Sequence, residues 1–324
     1  MTNHSQQFWE TVSTGPVLVT GAAGMVGAGV AQALRQRGVS TLLTPDRTQL
    51  DLTDRSSVQS WFAQHRPRYV FMVGAKVGGI AANSADPVAF LTENARMALE
   101  LFDACHKFHV EKSVFLGSSC IYPRECPQPM TEEMLLTGPL EPTNEGYALA
   151  KIVGLKLAEY YARQHGLNVV CPMPCNIYGT GDHFSFQRSH VLSALVRRFV
   201  DAVDAQDRTV TVWGTGTARR EFVHVDDAVR AILFLFESLN SPEIINVGTG
   251  VDVSIRELAE RIAREAGFAG DIVWDASKPD GMPRKCLDVS RLAGLGFRAT
   301  VTLDEGIRRT IGEYRDLKSR GVVQ

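Results

Sequence analysis

Short apolar runs alternate with longer amphipathic segments along the chain from residue 16 onward. The runs "PVLVTG", "STLLTP", "YVFMVGA" and "KSVFLGSS" have the length of buried strands, whereas the segments between them repeat apolar residues at three- and four-residue spacing, as helices do. Strands that alternate with helices form parallel sheets. The pattern therefore predicts an α/β fold, a Rossmann-type doubly wound parallel sheet.

The second half of the chain follows this pattern less regularly. We predict helices over 144–166, 189–203, 226–239 and 254–267, a strand over 168–179 and a strand or hairpin over 209–216. This arrangement predicts a nucleotide-binding domain over residues 1–178 and a smaller mixed α/β substrate domain over 179–324. Segments near 221–248 are expected to return to the first domain.

Composition excludes several classes of function. The 324 residues carry a formal net charge of −2, with 44% hydrophobic and 22% charged residues, so no overall field favours nucleic acid or an anionic membrane. The chain has neither a secretion signal at its start nor a run of about 18 apolar residues, so we expect a cytoplasmic protein. Its six cysteines form no C-x-x-C pair, which favours reduced thiols over disulfides or a metal site.

A glycine motif follows the first predicted strand. In "TGAAGMVGAGV", Gly21, Gly24 and Gly27 recur every three residues at the start of a helix, where glycine lets the backbone approach a pyrophosphate. The spacing fits the short-chain dehydrogenase/reductase pattern better than G-x-G-x-x-G. We therefore predict a dinucleotide site that also includes Ala22, Ala23, Met25 and Val26.

The end of the second strand bears on the choice of cofactor. An acid there usually holds a ribose hydroxyl, whereas an arginine accommodates a 2′-phosphate. Asp46 and Arg47 stand side by side, so this feature alone leaves both NAD(H) and NADP(H) open. Asp51 and Leu52 are expected near the adenine, and the "DLTD" stretch also fits a helix cap.

Three residues are typical of carbonyl and alcohol redox chemistry. Tyr147 and Lys151 are four apart on a predicted helix and therefore share one face. A neighbouring ammonium and an oxidised nicotinamide would lower the phenol pKa, which would make Tyr147 a proton donor or acceptor near neutral pH. Ser118 ends a strand, where sites in such sheets lie.

Cys120, in "GSSCIYP", allows three interpretations. Its thiol could be a small buried hydrophobe, a redox or metal ligand, or an acid/base group that faces a substrate. The ordinary pKa of a thiol, about 8.5, suits proton exchange near neutral pH. The residue type does not decide among the three.

Several longer segments resemble one protein family. They are "AKVGGI", "FLGSSCIYP", "LEPTNEGYALAKI", "SHVLSALVRRF", "VWGTGTARREFVHVDD", "INVGTGVDVSIREL" and "DASKPDGMPRK". With the glycine motif and the Ser-Tyr-Lys trio, they resemble the extended short-chain dehydrogenase/reductases, and within them the branch that epimerises and reduces GDP-4-keto-6-deoxy-D-mannose. The resemblance covers nearly the whole chain after residue 16.

The resemblance implies an NADP(H)-dependent enzyme that inverts carbons 3 and 5 of a GDP-sugar and reduces carbon 4, acting as a homodimer paired through long helices. It implies that Cys120 and His190 are the acid/base pair and that Ser118, Tyr147 and Lys151 complete the catalytic set. Further cofactor contacts carried over are Ala75, Leu116, Gly117, Pro174, Asn176, Ile177 and His190. Substrate contacts carried over are Ser118, Cys120, Asn176, Arg198, Trp213, Arg220, Asp280 and Lys285.

Two departures from the family pattern keep other functions open. Ala22 and Ala23 replace a family arginine, which leaves Arg47 for a 2′-phosphate, and Cys175 and residues 180–183 replace family residues beside the nicotinamide and the sugar. An enzyme that only epimerises or only reduces a different keto sugar is the alternative. A dinucleotide-binding redox sensor without turnover is the third hypothesis.

Overall fold

A six-stranded parallel sheet organises the first part of the molecule. The computed structural model describes residues 3–185, 189–278 and 280–323. The strands run in the order β2-β1-β3-β4-β5-β9, each parallel to its neighbour. Their bounds are β1 Val17–Val19, β2 Leu42–Leu43, β3 Tyr69–Met72, β4 Lys112–Phe115, β5 Val169–Pro174 and β9 Ile244–Val247.

Helices cover both faces of this sheet. Leu18 of β1 joins a core with residues of α3, α5 and α6, whereas Val17 and Val19 join a second core with residues of α1, α2 and α8. This alternation follows from the two-residue period of a strand and confirms the predicted doubly wound fold. The helices are α1 Asn3–Ser13, α2 Met25–Gln36, α3 Arg55–His65, α4 Ile80–Ala85, α5 Pro87–Lys107, α6 Glu145–His165 and α8 Val225–Ser238.

The remaining elements form a separate hydrophobic core. α7 (Val191–Asp204), α9 (Ile255–Ala266) and α11 (Leu303–Ser319) pack together, and α10 (Ser290–Gly294) packs against β9. A small mixed sheet contains β6 (Asn176–Tyr178), β8 (Arg219–His224), β10 (Asp252–Ser254) and β12 (Arg284–Lys285). β7 (Thr209–Trp213) and β11 (Asp271–Asp275) form a parallel pair. The domain boundary at residue 178 stays a prediction.

The structure corrects one predicted strand and decides between the two alternatives given for another. The strand predicted over 168–179 is two strands in different sheets, because the chain changes partner at Cys175: β5 pairs with β9, and β6 pairs with β8. Of the two alternatives for 209–216, the strand is confirmed over Thr209–Trp213, and it pairs with the distant β11 and not within a hairpin. Pairing with distant strands leaves no trace in the local pattern.

The prediction omitted the helices at the two ends of the chain. α1 is held by Trp9, which is buried and donates its indole N–H to Glu237 at 2.7 Å. α11 carries Ile307, Ile311 and Tyr314 at helical spacing, a signal that could have identified it. Within the described ranges, no helix is long and apolar enough to cross a membrane.

Candidate active site

The glycine motif forms a tight turn between β1 and α2. Gly21 has φ +67°, and a Cβ at Gly27 would lie 2.1 Å from the Gly21 carbonyl oxygen. Gly24 is the N-cap of α2, and no side chain caps the helix there among the described residues, so its first amides are left for a ligand. The loop therefore fits a dinucleotide pyrophosphate, which needs close backbone approach and a helix N-terminus.

The other predicted cofactor residues follow the carboxyl ends of the strands or start α2, where ligands of such sheets bind. Ala22 and Ala23 lie in the turn after β1, and Met25 and Val26 open α2. Ala75 follows β3, Leu116 and Gly117 follow β4, Pro174 ends β5, and Asn176 and Ile177 belong to β6. Asn176 donates its side-chain amide to the Glu221 carbonyl oxygen at 2.8 Å.

The turn after β2 separates the roles of Asp46 and Arg47. One carboxylate oxygen of Asp46 accepts hydrogen bonds from the Thr48 amide at 2.8 Å and the Gln49 amide at 3.0 Å, so this acid stabilises its own turn. Asp51 does the same with Thr53. Arg47 is exposed, so its guanidinium is accessible to a 2′-phosphate.

Lys151 and Tyr147 lie one turn apart on α6 and face the end of β4. The Lys151 ammonium donates to the Leu116 carbonyl oxygen at 2.7 Å and lies 5.7 Å from the centroid of the Tyr147 ring. Ser118 lies close enough to Tyr147 to lower the pKa of its phenol. The structure thus brings the predicted trio together.

Burial controls the protonation of both side chains on α6. It raises the pKa of Tyr147, and the nearby Cys120 thiolate adds to this effect while Ser118 opposes it. It lowers the pKa of Lys151 to about 8, against the opposing effect of Cys120. We expected a lowered phenol pKa; in the protein alone it is raised, and Lys151 bonds to Leu116. Tyr147 is therefore a protonated phenol at neutral pH.

Cys120 is surrounded by hydrogen-bond donors. The Asn144 amide donates to its Sγ at 3.2 Å and the Lys285 ammonium at 3.5 Å. Burial alone would raise the pKa of this thiol, but Lys285, Ser118 and Asn144 together lower it below the ordinary value. The thiol is half-buried and lies beside the catalytic trio.

The other cysteines differ from Cys120. Burial raises the pKa of Cys171 and Cys286 to about 12 and also raises the pKa of Cys105 and Cys175. Cys126 is half-buried, and its pKa is raised as well. Among the six thiols, only that of Cys120 has a lowered pKa, so only Cys120 is suited to exchange protons near neutral pH.

His190 lies at the start of α7. It is exposed and occupies the N-cap position of that helix. The neighbouring Ser189 carbonyl oxygen is 3.7 Å from where a Cβ on Gly79 would stand, so this segment passes the loop that follows β3. His190 follows this segment directly, and its role as the partner of Cys120 stays a prediction.

The predicted substrate residues beyond Asn176 lie in the second part of the structure. Trp213 is 60% exposed, and its ring centroid is 5.7 Å from the Arg198 guanidinium carbon and 5.9 Å from the Lys278 ammonium nitrogen. Arg220 and Lys285 face each other in the β8 and β12 pair, on the side of Cys120. These residues offer an exposed aromatic face next to two cationic side chains, with two further cations on the side of Cys120.

Asp280 has a structural role that the sequence did not predict. Its carboxylate accepts hydrogen bonds from the Thr215 amide and hydroxyl, both at 2.7 Å. It thereby fixes the turn that follows Trp213. A substrate contact by Asp280 stays a prediction, whereas its support of the neighbouring loop is observed.

Sequence reasoning missed two polar residues of the site. Asn94, buried in α5, accepts the Lys76 amide at 2.8 Å and donates to the Lys76 carbonyl oxygen at 3.0 Å, which shapes the loop after β3. Asn144 donates to Cys120. A buried asparagine in the middle of a helix is a detectable signal, but Asn144 stands at a helix start, where its residue type looks like an ordinary cap.

Comparison with known proteins places this fold and site in one class. The model of the NAD dependent epimerase/dehydratase family matches residues 17–248. The chain belongs to this family.

Curated relatives are similar over most of their length. GDP-L-fucose synthase of Escherichia coli (strain K12) is 46% identical over 94% of this chain and 98% of its own. Probable GDP-L-fucose synthase 1 of Oryza sativa subsp. japonica is 46% identical over 93% of this chain and 92% of its own. GDP-L-colitose synthase of Yersinia pseudotuberculosis is 39% identical over 94% of this chain and 99% of its own.

Solved structures share the fold. A GDP-6-OMe-4-keto-L-xylo-heptose reductase from C. jejuni superposes with a TM-score of 0.88 at 29% identity, over 93% of this chain and 98% of that one. A GDP-L-fucose synthetase from Naegleria fowleri bound to NADP superposes with a TM-score of 0.83 at 26% identity, over 94% of this chain and 95% of that one.

Proposed function

We propose that this protein is a GDP-L-fucose synthase, which converts GDP-4-keto-6-deoxy-D-mannose into GDP-L-fucose with NADPH. The observation that carries the proposal is the position of Cys120 beside Ser118, Tyr147 and Lys151, with donors that lower its thiol pKa. A reductase alone needs only the trio, whereas an epimerase also needs an acid/base group at the sugar. The relatives named above support the same substrate class.

The sugar nucleotide would bind across the two parts of the structure. The guanine would stack on the exposed face of Trp213, and Arg198 would pair with the diphosphate. Arg220 and Lys285 stand between that region and Cys120, so the sugar would reach the trio. Asn176, at the edge of β6, would contact the sugar or the nicotinamide.

Epimerisation follows from the acidity of the carbons beside the ketone. The Cys120 thiolate would take the proton from carbon 3 or carbon 5, and the electrons of that C–H bond would form an enolate. Hydrogen bonds from Tyr147 and Ser118 would stabilise the enolate oxygen. His190 would return a proton to the opposite face of the ring, which inverts that carbon.

Reduction would complete the sequence in the same pocket. NADPH supplies hydride to carbon 4 when bound. Tyr147 is a protonated phenol at neutral pH, so it would give its proton to the carbon 4 oxygen as the alcohol forms. Lys151 would stabilise the phenolate left behind, while its bond to Leu116 holds α6 against the end of β4.

NADP(H) is the proposed cofactor. One carboxylate oxygen of Asp46 is bonded within its own turn, and Arg47 is exposed beside it. The Naegleria fowleri structure, whose fold this chain shares, is bound to NADP. Among the proposed contacts, Arg47 would hold the 2′-phosphate and α2 the pyrophosphate.

A related reaction on a different keto sugar is the second candidate. Cys175 and residues 180–183 depart from the family pattern, and Gly181 lies against the cofactor turn, where a Cβ on it would be 3.4 Å from the Met25 Cα. The similarity to a GDP-L-colitose synthase fits this candidate. These positions would border the nicotinamide and sugar and thus select the sugar.

We also propose a homodimer paired through α5 and α6. These two helices pack on each other and expose a row of large apolar side chains: Val88, Leu99, Leu149, Val153 and Tyr160. A second copy would bury this row. A cytoplasmic location is proposed as well, since all six cysteines, each in the described residues, are free thiols.

Product analysis tests the proposed function. The protein is incubated with GDP-4-keto-6-deoxy-D-mannose and either NADPH or NADH, and the product is examined by NMR. GDP-L-fucose, formed faster with NADPH, is expected. An unchanged configuration at carbon 3 or carbon 5 would favour the second candidate, and no consumption of either cofactor with any keto sugar nucleotide would favour a binding protein.

A further inference from the structure

Asn144 stands at the start of α6 but does not cap it. Asparagine is among the best N-cap residues because its side-chain oxygen accepts a free amide of the first turn. Here the backbone has φ −141° and ψ 21°, and the side chain makes no cap hydrogen bond to the described residues. The side chain of Asn144 therefore does not stabilise the start of α6 by an N-cap hydrogen bond, and another role must account for the orientation of this side chain.

The side chain of Asn144 turns toward the active site instead. Its Nδ2 donates to the Sγ atom of Cys120 at 3.2 Å. Its Oδ1 is buried and has no hydrogen-bond partner within the described part of the chain. A thiol is a weak acceptor, whereas a thiolate accepts strongly, so this contact favours the charged form of sulfur.

A second donor reaches the same sulfur from a distant part of the chain. Lys285 belongs to β12, and its ammonium lies 3.5 Å from the Cys120 Sγ. The amide comes from the start of α6 and the ammonium from β12, so it is the tertiary structure that brings both donors to the Cys120 sulfur. The positive end of the α6 dipole lies on the same side as Asn144 and also favours an anion.

We infer that Asn144 is a positioning residue that, with Lys285, keeps Cys120 as a thiolate ready to remove a proton from the sugar. This inference rests on the proposed function. Asn144 acts through the sulfur: the amide hydrogen bond fixes the direction of the thiolate lone pairs, and Lys285 supplies the compensating charge. When the sulfur takes a proton, the Asn144 contact weakens, and the thiolate is restored when that proton passes to solvent.

Alkylation of Cys120 tests the inference without any substrate. The folded protein is treated with iodoacetamide from pH 5 to 10, and the modified Cys120 and Cys126 peptides are quantified by mass spectrometry. The rate of Cys120 alkylation is expected to increase with pH, with its inflection at a pH below the ordinary thiol pKa of about 8.5. Cys126, which is also half-buried, is the control thiol for the Asn144 variants; Lys285 lowers the pKa of Cys126 too, so a change at Lys285 should alter both thiols.

The variant Asn144→Ser removes the donor to sulfur but can still cap α6. We expect its Cys120 inflection to rise by about one pH unit, which slows alkylation near neutral pH by about tenfold, while Cys126 is unaffected. Lys285→Met should also raise the inflection. An unmoved inflection in Asn144→Ser, with a raised one in Lys285→Met, would overturn the role of Asn144.

A second variant decides the matter if Asn144→Ser also alters Cys126 through a looser fold. Asn144→Asp keeps the size and capping ability of the side chain but replaces the donor with an anion. It should raise the Cys120 inflection further than Ser does. An inflection equal to that of the parent protein would overturn the inference.

The pH profile of turnover separates this inference from the proposed function. In Asn144→Ser, the rate of proton exchange at carbons 3 and 5 should fall at low pH with a midpoint that is shifted by the same amount as the alkylation inflection. KM should be unchanged. A shifted inflection of Cys120 alkylation in Asn144→Ser, together with no turnover of GDP-4-keto-6-deoxy-D-mannose by the parent protein, would refute only the proposed function. Normal turnover with an unshifted inflection would refute only the role of Asn144.

Discussion

The Lys151 ammonium donates to the Leu116 carbonyl oxygen at 2.7 Å, which joins the catalytic helix to the loop that carries Ser118. Leu116 follows β4 directly, and Ser118 lies two residues further along. The same ammonium lies beneath the ring of Tyr147. One hydrogen bond thus fixes the relative positions of all three members of the trio.

Replacing Lys151 should separate reduction from epimerisation. In Lys151→Met the phenolate of Tyr147 loses its counter-ion and the Leu116 carbonyl loses its partner. We expect kcat for reduction to fall by about 10²–10⁴-fold, the usual range for acid/base groups. Deuterium exchange at carbons 3 and 5 should fall much less, because the Cys120 donors remain. Equal losses in both steps would contradict separate roles.

The pH dependence of reduction should follow Lys151. Burial lowers its pKa to about 8, so the side chain is charged below that pH and becomes neutral as the pH rises through it. The hydride-transfer rate should therefore decline above about pH 8. Single-turnover kinetics, with 4-deuterated NADPH to identify the hydride step, measures this rate. A rate that stays constant or increases between pH 7 and 10 would contradict the assignment.

Arg47 should determine the choice between the two nicotinamide cofactors. Arg47→Ala removes the proposed 2′-phosphate contact, so KM for NADPH should rise roughly 10- to 100-fold while KM for NADH stays constant. Arg35→Ala is a matched control, because Arg35 lies in the last turn of α2, away from the cofactor turn. Equal effects of Arg47→Ala on both cofactors would exclude a phosphate contact.

The exposed apolar row on α5 and α6 should mediate self-association. Leu149→Glu places a charge in the proposed interface, and we expect sedimentation velocity to show monomers in place of dimers. Val322→Glu changes a valine that is 61% exposed near the chain end and should leave the dimer intact. A parent protein that sediments as a monomer would refute the interface.

The trio could be predicted because its members depend on local order, whereas the role of Cys120 was implied only by the family resemblance. Tyr147 and Lys151 are one helical turn apart, and Ser118 and Cys120 follow a strand whose end lies at the ligand-binding edge of the sheet. The doubly wound sheet was predictable for the same reason, since the strand and helix periods are visible along the chain.

The thiol environment could not be predicted in this way. Lys285 is 165 residues from Cys120 in sequence, and only the pairing of β12 with β8 brings it near. Asn144 has the residue type of a helix cap, so its contact with sulfur depends on a backbone conformation that the sequence does not reveal. The change of partner at Cys175 likewise depends on strands far along the chain.

Solvent deuterium incorporation tests the central claim most directly. The protein and NADPH are mixed with GDP-4-keto-6-deoxy-D-mannose in D₂O, alongside the variants Cys120→Ser and Cys126→Ser. The account predicts GDP-L-fucose with deuterium at carbons 3 and 5 from the parent protein and from Cys126→Ser, and loss of both labels in Cys120→Ser. Undiminished labelling in a folded Cys120→Ser variant would contradict it.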